Sequence, residues 1–295
     1  MSKPLFTWAG GKNKMLKHYK PILPAPASSL FPEKTINSYV EPFFGGGAMF
    51  IYIMKNYKPE SAYINDINPE IVSIYECIKH NYDEFVQRVT ELEQEYMLFD
   101  FEEGTRNEGR RNFYNKIRQS YWDDYSNWSK PYESATLYFL MKTGFNGIFQ
   151  TNKKNGRYGT PCGLLNQKKQ VFNREVVKWW HDTLQTVTIT CGDWKTNTPD
   201  IEDAFYFFDP PYRDSFADYG NSFDDQQLTD LIDFADSKSQ VFVCNRDGSD
   251  GWFEKNKKSL NISKFPVTYT AGRRKKTEEG YEAKKAEEVL LWHMN

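Results

Sequence analysis

Apolar residues along the chain fall into two rhythms. Short β-favouring runs stop at glycine, proline or an acid, and longer stretches between them carry apolar residues at helical spacing. The densest run is Phe205-Tyr-Phe-Phe-Asp-Pro-Pro-Tyr212. It predicts a buried strand stopped at Pro210, leaving Asp209 and Tyr212 on a turn stiffened by two fixed φ angles. Further strands are predicted near 37–40, 62–65, 187–191, 240–244, 262–270 and 288–293. Helices are predicted over 48–56, from Pro69 with Asn68 as its cap, through a polar and aromatic helical stretch to about 142, and over 173–185, 224–237 and 252–257.

Strands and helices alternate until the last two strands, which form a hairpin-like pair. The pattern describes an α/β protein with a mostly parallel seven-stranded sheet and one antiparallel edge, carrying a helical insertion between the second and third strands. Residues 1–69 and 172–295 would form one discontinuous domain and 70–171 the insertion. Charge runs at 91–95 and 106–118 read as solvated helix faces. Residues 271–285, charged and glycine-containing, read as a mobile basic loop.

Composition narrows this picture only a little. With 295 residues, 39% apolar and 26% charged, the chain is an ordinary globular protein with one large domain or a domain plus insertion. Its net charge of −2 gives no global basic field, so any polyanion would have to be met by a local face. Cys77, Cys162, Cys191 and Cys244 lie far apart without a CxxC pair, which supports neither a zinc site nor a disulfide framework. No run is apolar and long enough for a signal peptide or a membrane span, so a cytoplasmic location is expected.

Three stretches carry candidate chemistry. Phe44 is followed by Gly45, Gly46 and Gly47 at the start of a helix, where backbone can approach a ligand closely. Asp66 follows about twenty residues on, the spacing at which a carboxylate grips a ribose in nucleotide-binding βαβ units. The Gly10-Gly-Lys12 sequence lacks the upstream glycine and following Ser or Thr of a phosphate loop, leaving an aromatic-plus-lysine cradle for some other ligand.

The second stretch is residues 144–163, where extended pieces meet at Asn155-Gly156, a two-residue hairpin signal. Asn146, Gln150, Asn152, Lys153, Lys154 and Arg157 would present amides and cations to a DNA groove; a solvated hairpin tip fits the same residues. Arg273, Arg274 and Lys275 would touch phosphates, or else belong to a solvated loop. In the third, Asp209 and the Pro210 carbonyl are pure acceptors beside the flat face of Tyr212. Together with Pro211, they suit a planar ring bearing an exocyclic NH2, although a strand-ending turn with a surface acid is equally compatible.

Trp8-Ala-Gly-Gly-Lys12, Glu41-Pro-Phe-Phe-Gly-Gly-Gly47, Asn65-Asp66-Ile-Asn68, Gly144-Phe-Asn-Gly147 and Asp209-Pro-Pro-Tyr212 occur in an order that resembles the Dam-like DNA adenine-N6 methyltransferases. The resemblance runs from Trp8 to the final strand. It implies a Rossmann-like methyltransferase fold, S-adenosylmethionine as methyl donor with S-adenosylhomocysteine as product, no metal, and double-stranded DNA as partner, bound by a monomer or by a dimer on DNA.

Residue by residue, Trp8, Gly10 and Lys12 resemble the family's amino-terminal cofactor contacts. Glu41, Phe44 and Gly45 to Gly47 resemble the loop under the methionine part. Asp66 resembles the ribose-binding acid with Ile67 beside it, Asp193 and Trp194 lie where the cofactor adenine is expected, and Asp209 to Tyr212 resemble the catalytic motif. The hairpin departs from one known pattern. Gln150 stands where a GATC-reading hairpin has arginine, so GATC specificity does not carry over.

Two rivals remain open on sequence. The acceptor could be another amino group, such as cytosine N4, an RNA adenine or a protein glutamine amide, or the chain could bind DNA without catalysis. Pro161-Cys162 invites a cysteine-nucleophile reading, but it sits at the end of the hairpin rather than at a strand terminus, which favours a structural thiol.

Overall fold

The computed structural model describes every residue except 1, 9, 28–34, 100–106, 153, 164–169, 214–222, 270–274, 278–279, 283 and 295, with backbone alone for 269, 275–277, 280–282 and 284–285. In chain order the elements are α1 (Leu16–Tyr19), β1 (Ser38–Glu41), α2 (Ala48–Asn56), β2 (Ser61–Asp66), α3 (Pro69–His80), α4 (Tyr82–Met97), α5 (Glu108–Asp124) and α6 (Lys130–Thr143). They continue with α7 (Arg174–Leu184), β3 (Val187–Cys191), α8 (Trp194–Asn197), β4 (Ala204–Phe208), α9 (Asp225–Asp236), β5 (Gln240–Arg246), α10 (Trp252–Asn256), β6 (Asn261–Tyr269), β7 (Lys275–Thr277), β8 (Gly280–Glu282) and β9 (Lys284–Met294).

Seven strands form one sheet in the order β3-β2-β1-β4-β5-β9-β6. β1 pairs in parallel with β2 and β4, and β4 with β5. β9 is antiparallel to both its neighbours, so the antiparallel strand lies one place in from the edge strand β6. The aromatic run 205–208 is central because both its faces are covered. Tyr206 and Phe208 pack with Phe234 of α9, whereas Phe205 and Phe207 meet Tyr39, Phe242 and Tyr19. Each such buried ring contributes about 1.5–3 kcal/mol, which makes the end of β4 a rigid place to mount a side chain.

The chain divides into two compact units. One comprises Lys14–Phe44, Ile53–Asn65 and Asp193–Asn295, and contains β1, β4, β5, β6 and β9. The other comprises Met1–Asn13, Gly45–Tyr52 and Asp66–Gly192. Its centre is α6, nearly every residue of which is buried: Tyr138 meets Phe85 of α4, and Phe139 meets Tyr96 of α4 and Phe113 of α5. Trp180 of α7 stacks on Phe50, and its indole N–H donates to the Lys3 carbonyl at 2.9 Å.

Three expectations need correction, and two short helices were not predicted. Described residues within 271–285 are not an irregular loop but pair as β7 and β8, with β9 beginning at Lys284. The hairpin turn is longer than two residues, because the Asn152 N–H donates to the Arg157 carbonyl and encloses four residues. An asparagine side chain starts that turn: Asn152 Oδ1 accepts from the Lys154 N–H at 2.9 Å, a local bond that competes with strand pairing. The charge runs are only partly solvated. Arg110 is buried over the Tyr96 ring, and Glu93 Oε1 accepts from the Val171 N–H. Finally, α1 and α8 were too short to register as periodic patterns.

Candidate functional site

The glycine turn is shaped by its neighbours. Gly45 has φ +48°, and a Cβ there would lie 2.4 Å from Trp8 Nε1. A side chain is therefore excluded twice, by backbone conformation and by the indole. The Gly45 carbonyl accepts from the Tyr75 hydroxyl (2.8 Å), and its N–H donates to Asp66 Oδ2 (2.8 Å). Asp66 Oδ1 accepts from the Asn68 N–H at 2.9 Å. Asn68 Oδ1 in turn accepts from the Glu70 and Ile71 N–H groups, capping α3.

Asp66 thus ties the glycine turn to a helix start. Burial pushes its carboxyl above the usual aspartate value, and the backbone donors at Asn68, Gly45 and Ile67 only partly oppose that rise. A carboxylate offers about four acceptor positions, so with three backbone donors about one remains for a ligand hydroxyl. Next to it Ile67 is 44% exposed, an apolar surface beside an acid.

In the same unit Gly10 has φ +80°, and Lys12 is buried, with Nζ donating to the Gly10 carbonyl at 3.2 Å. Trp8 packs against Phe6 and Phe149. Phe6 and Tyr75 escaped sequence reasoning, and neither carried a signal beyond an ordinary apolar position.

In the other unit Asp209 follows β4 directly, and Pro210 is buried behind it. The Tyr212 hydroxyl donates to Oε1 of the buried Glu288 at 2.6 Å, while the Arg246 guanidinium lies 5.8 Å from the Tyr212 ring centre. Burial pushes the Tyr19 hydroxyl well above its usual range, with Cys244, Glu288 and Asp209 adding to the rise. The Tyr39 hydroxyl, buried and donating to Glu41 Oε2, is raised as well. Both phenols stay protonated.

Phe44 is buried, with its N–H donating to the Asn65 carbonyl. Asp193 caps α8 by accepting from the Lys195 N–H, and Trp194 sits in the core against Phe43, Phe208 and Phe234. The Trp194 indole N–H is buried and has no hydrogen-bond partner among the described residues.

The hairpin residues Asn146, Gln150, Asn152, Lys154 and Arg157 are exposed, with Arg157 3.6 Å from Asp123 of α5. Asn146 adopts φ +54°, and the adjoining Phe145 ring is 43% exposed. One face of α5 holds the hairpin. Tyr114 and Arg118 both donate to the Thr160 carbonyl, and Trp122 donates to the Tyr158 carbonyl, a ladder at i, i+4 and i+8. Sequence reasoning missed this ladder because its aromatics read as core and its arginine as solvated.

Cys162 is partly buried, and burial pushes its thiol up, the opposite of an activated nucleophile. Lys153, Arg273 and Arg274 lie outside the described residues, and Lys275 falls in β7 with its side chain undescribed. Among the described residues no helix is long and apolar enough to cross a membrane.

The sequence matches the family model for D12 class N6 adenine-specific DNA methyltransferases over residues 8–271. It is 29% identical to the Type II methyltransferase M.MjaIII of Methanocaldococcus jannaschii over 272 residues, covering 89% of this chain and 90% of that protein. It is 29% identical to the Type II methyltransferase M1.LlaDCHI of Lactococcus lactis over 92% of this chain and 89% of that protein. Similarity to the DNA adenine methylase of Haemophilus influenzae is 27% identity over 83% of this chain and 80% of that protein. The chain belongs to the D12 class of N6 adenine-specific DNA methyltransferases.

Proposed function

We propose that the protein transfers the methyl group of S-adenosylmethionine to N6 of an adenine flipped out of duplex DNA. The observation that carries this reading is Asp209 at the end of an entirely buried aromatic strand, followed by two prolines and a tyrosine tethered to Glu288. Adenine N6 is a weak nucleophile because its lone pair is delocalised into the ring. The Asp209 carboxylate and the Pro210 carbonyl accept its two hydrogens and favour a pyramidal, more nucleophilic nitrogen. Tyr212 offers its face to the extruded base.

When bound, S-adenosylmethionine supplies an electrophilic methyl, and in-line positioning carries much of the rate. The residues fit that molecule: Asp66 keeps an acceptor position for a ribose hydroxyl, Ile67 offers an apolar face for a purine, and the glycine turn closes tightly against Trp8 beside them. Trp8, Gly10, Lys12, Glu41, Phe44, Asp193 and Trp194 complete the proposed cofactor set, with Trp194 acting through packing.

Residues 70–171 serve as the target recognition part in this reading, with Gln150 pairing to adenine, Arg157 reading a base and Lys154 meeting a phosphate. The names of its relatives suit a modification enzyme of the restriction-modification kind, acting in the cytoplasm. The test is methylation of mixed-sequence DNA with tritiated cofactor. Wild-type protein should label DNA, and Asp209→Ala should lose transfer by far more than it weakens DNA binding. Near wild-type transfer by Asp209→Ala would sink the assignment.

A further inference from the structure

The two prolines that stiffen the catalytic turn also deprive it of backbone donors, so something else must hold its far end. Arg213, the residue after Tyr212, is held from three directions. Its backbone N–H donates to Asn245 Oδ1 at 3.1 Å. Its guanidinium donates to both oxygens of Asp225, through Nε at 2.7 Å and Nη2 at 3.0 Å. Nη1 donates to Asp250, and the guanidinium lies 5.0 Å from the Trp252 ring centre.

Each partner is itself fixed. Asp225 opens α9, which Asp224 and Gln227 cap reciprocally, and Asp250 Oδ1 accepts from the Trp252 N–H at the start of α10. Asn245, in β5, is fully buried at 0% exposure, and its Oδ1 also accepts from the Arg246 N–H at 2.9 Å. Two backbone donors on one oxygen fix which end of the amide is which. The other end, Nδ2, is buried without a hydrogen-bond partner among the described residues. An amide kept in the core with half its capacity unmet is poor stabilisation, and calls for a role served by its oxygen.

We infer that Arg213, with Asn245, Asp225 and Asp250, is a positioning clamp that fixes the Asp209–Tyr212 turn in its reacting geometry. The inference rests on the proposed methyl transfer. The bidentate grip on Asp225 gives direction as well as attraction, which a lysine cannot reproduce in full. Spreading the hold over a strand and the starts of two helices means that no single element can shift without carrying the turn along.

The test measures single-turnover methyl transfer at saturating cofactor and DNA, together with S-adenosylhomocysteine affinity, DNA affinity and melting temperature. Arg213→Ala should slow transfer by about 10- to 100-fold, the effect of misplacing a reacting group by about an ångström, with both affinities within about threefold of wild type. Arg213→Lys should recover part of the rate. Asp225→Asn/Asp250→Asn should reproduce the loss, and adding Arg213→Ala to that pair should cost little more. The pair also serves if Arg213→Ala fails to fold.

Transfer within twofold of wild type in these variants would overturn the clamp, as would a rate loss matched by equal losses of cofactor affinity and melting temperature. The wild-type control separates the two proposals. If wild-type protein transfers no methyl to DNA, the underlying reading has failed; if it transfers and the variants do likewise, only the clamp has.

Discussion

Asp66 has a structural role, to which the proposed function adds a ligand-facing one. Its carboxylate joins Gly45 to the start of α3, and burial raises its pKa above the ordinary aspartate value. The sign follows directly: ionised Asp66 costs stability at neutral pH, and that penalty disappears as pH falls through the raised folded value. Protonation would also remove an acceptor from the ribose hydroxyls. S-adenosylhomocysteine affinity, followed by calorimetry, should therefore weaken on acidification with a midpoint above the usual aspartate pKa. Asp66→Asn should bind more weakly at neutral pH and lose that dependence.

Gly45→Ala is the sharper test of the turn. A methyl group at φ +48° and 2.4 Å from Trp8 Nε1 should cost about 1–3 kcal/mol, read as a lower melting temperature and weaker S-adenosylhomocysteine binding.

At the scale of elements, the α5 ladder holds the hairpin that is proposed to read DNA. Trp122→Phe removes the indole donor to the Tyr158 carbonyl and should loosen the hairpin by about 1 kcal/mol. Discrimination between the preferred DNA site and single-base variants should fall while S-adenosylhomocysteine affinity holds; equal loss of both would contradict a dedicated hairpin support.

The elements most legible in the sequence were those whose signals are local. The Asn68-Pro69 start of α3, the Asp224 cap of α9 and the run 205–208 declare themselves through caps, prolines and apolar density. What escaped depends on partners distant in sequence. Arg118 reads as solvated until Thr160 supplies a carbonyl, and the packing of Trp194 against Phe208 and Phe234 has no local signal. The β7–β8 pair was obscured because its residues are charged and flanked by glycine, although such strands need only pair with each other.

For the whole molecule, a net charge of −2 means that DNA affinity must come from a local cationic face rather than an overall field. The plot of log affinity against log salt should be linear, and Lys154→Ala should reduce its slope by about one. Gln150→Arg should shift base preference at one position toward guanine, measured by sequencing DNA methylated in vitro.

The measurement that bears most directly on the whole account is the identity of the methylated base. Duplex DNA is incubated with tritiated S-adenosylmethionine and the purified protein, digested to nucleosides and separated. Label is expected in N6-methyldeoxyadenosine. Label in a cytosine derivative, or none in DNA, would contradict it.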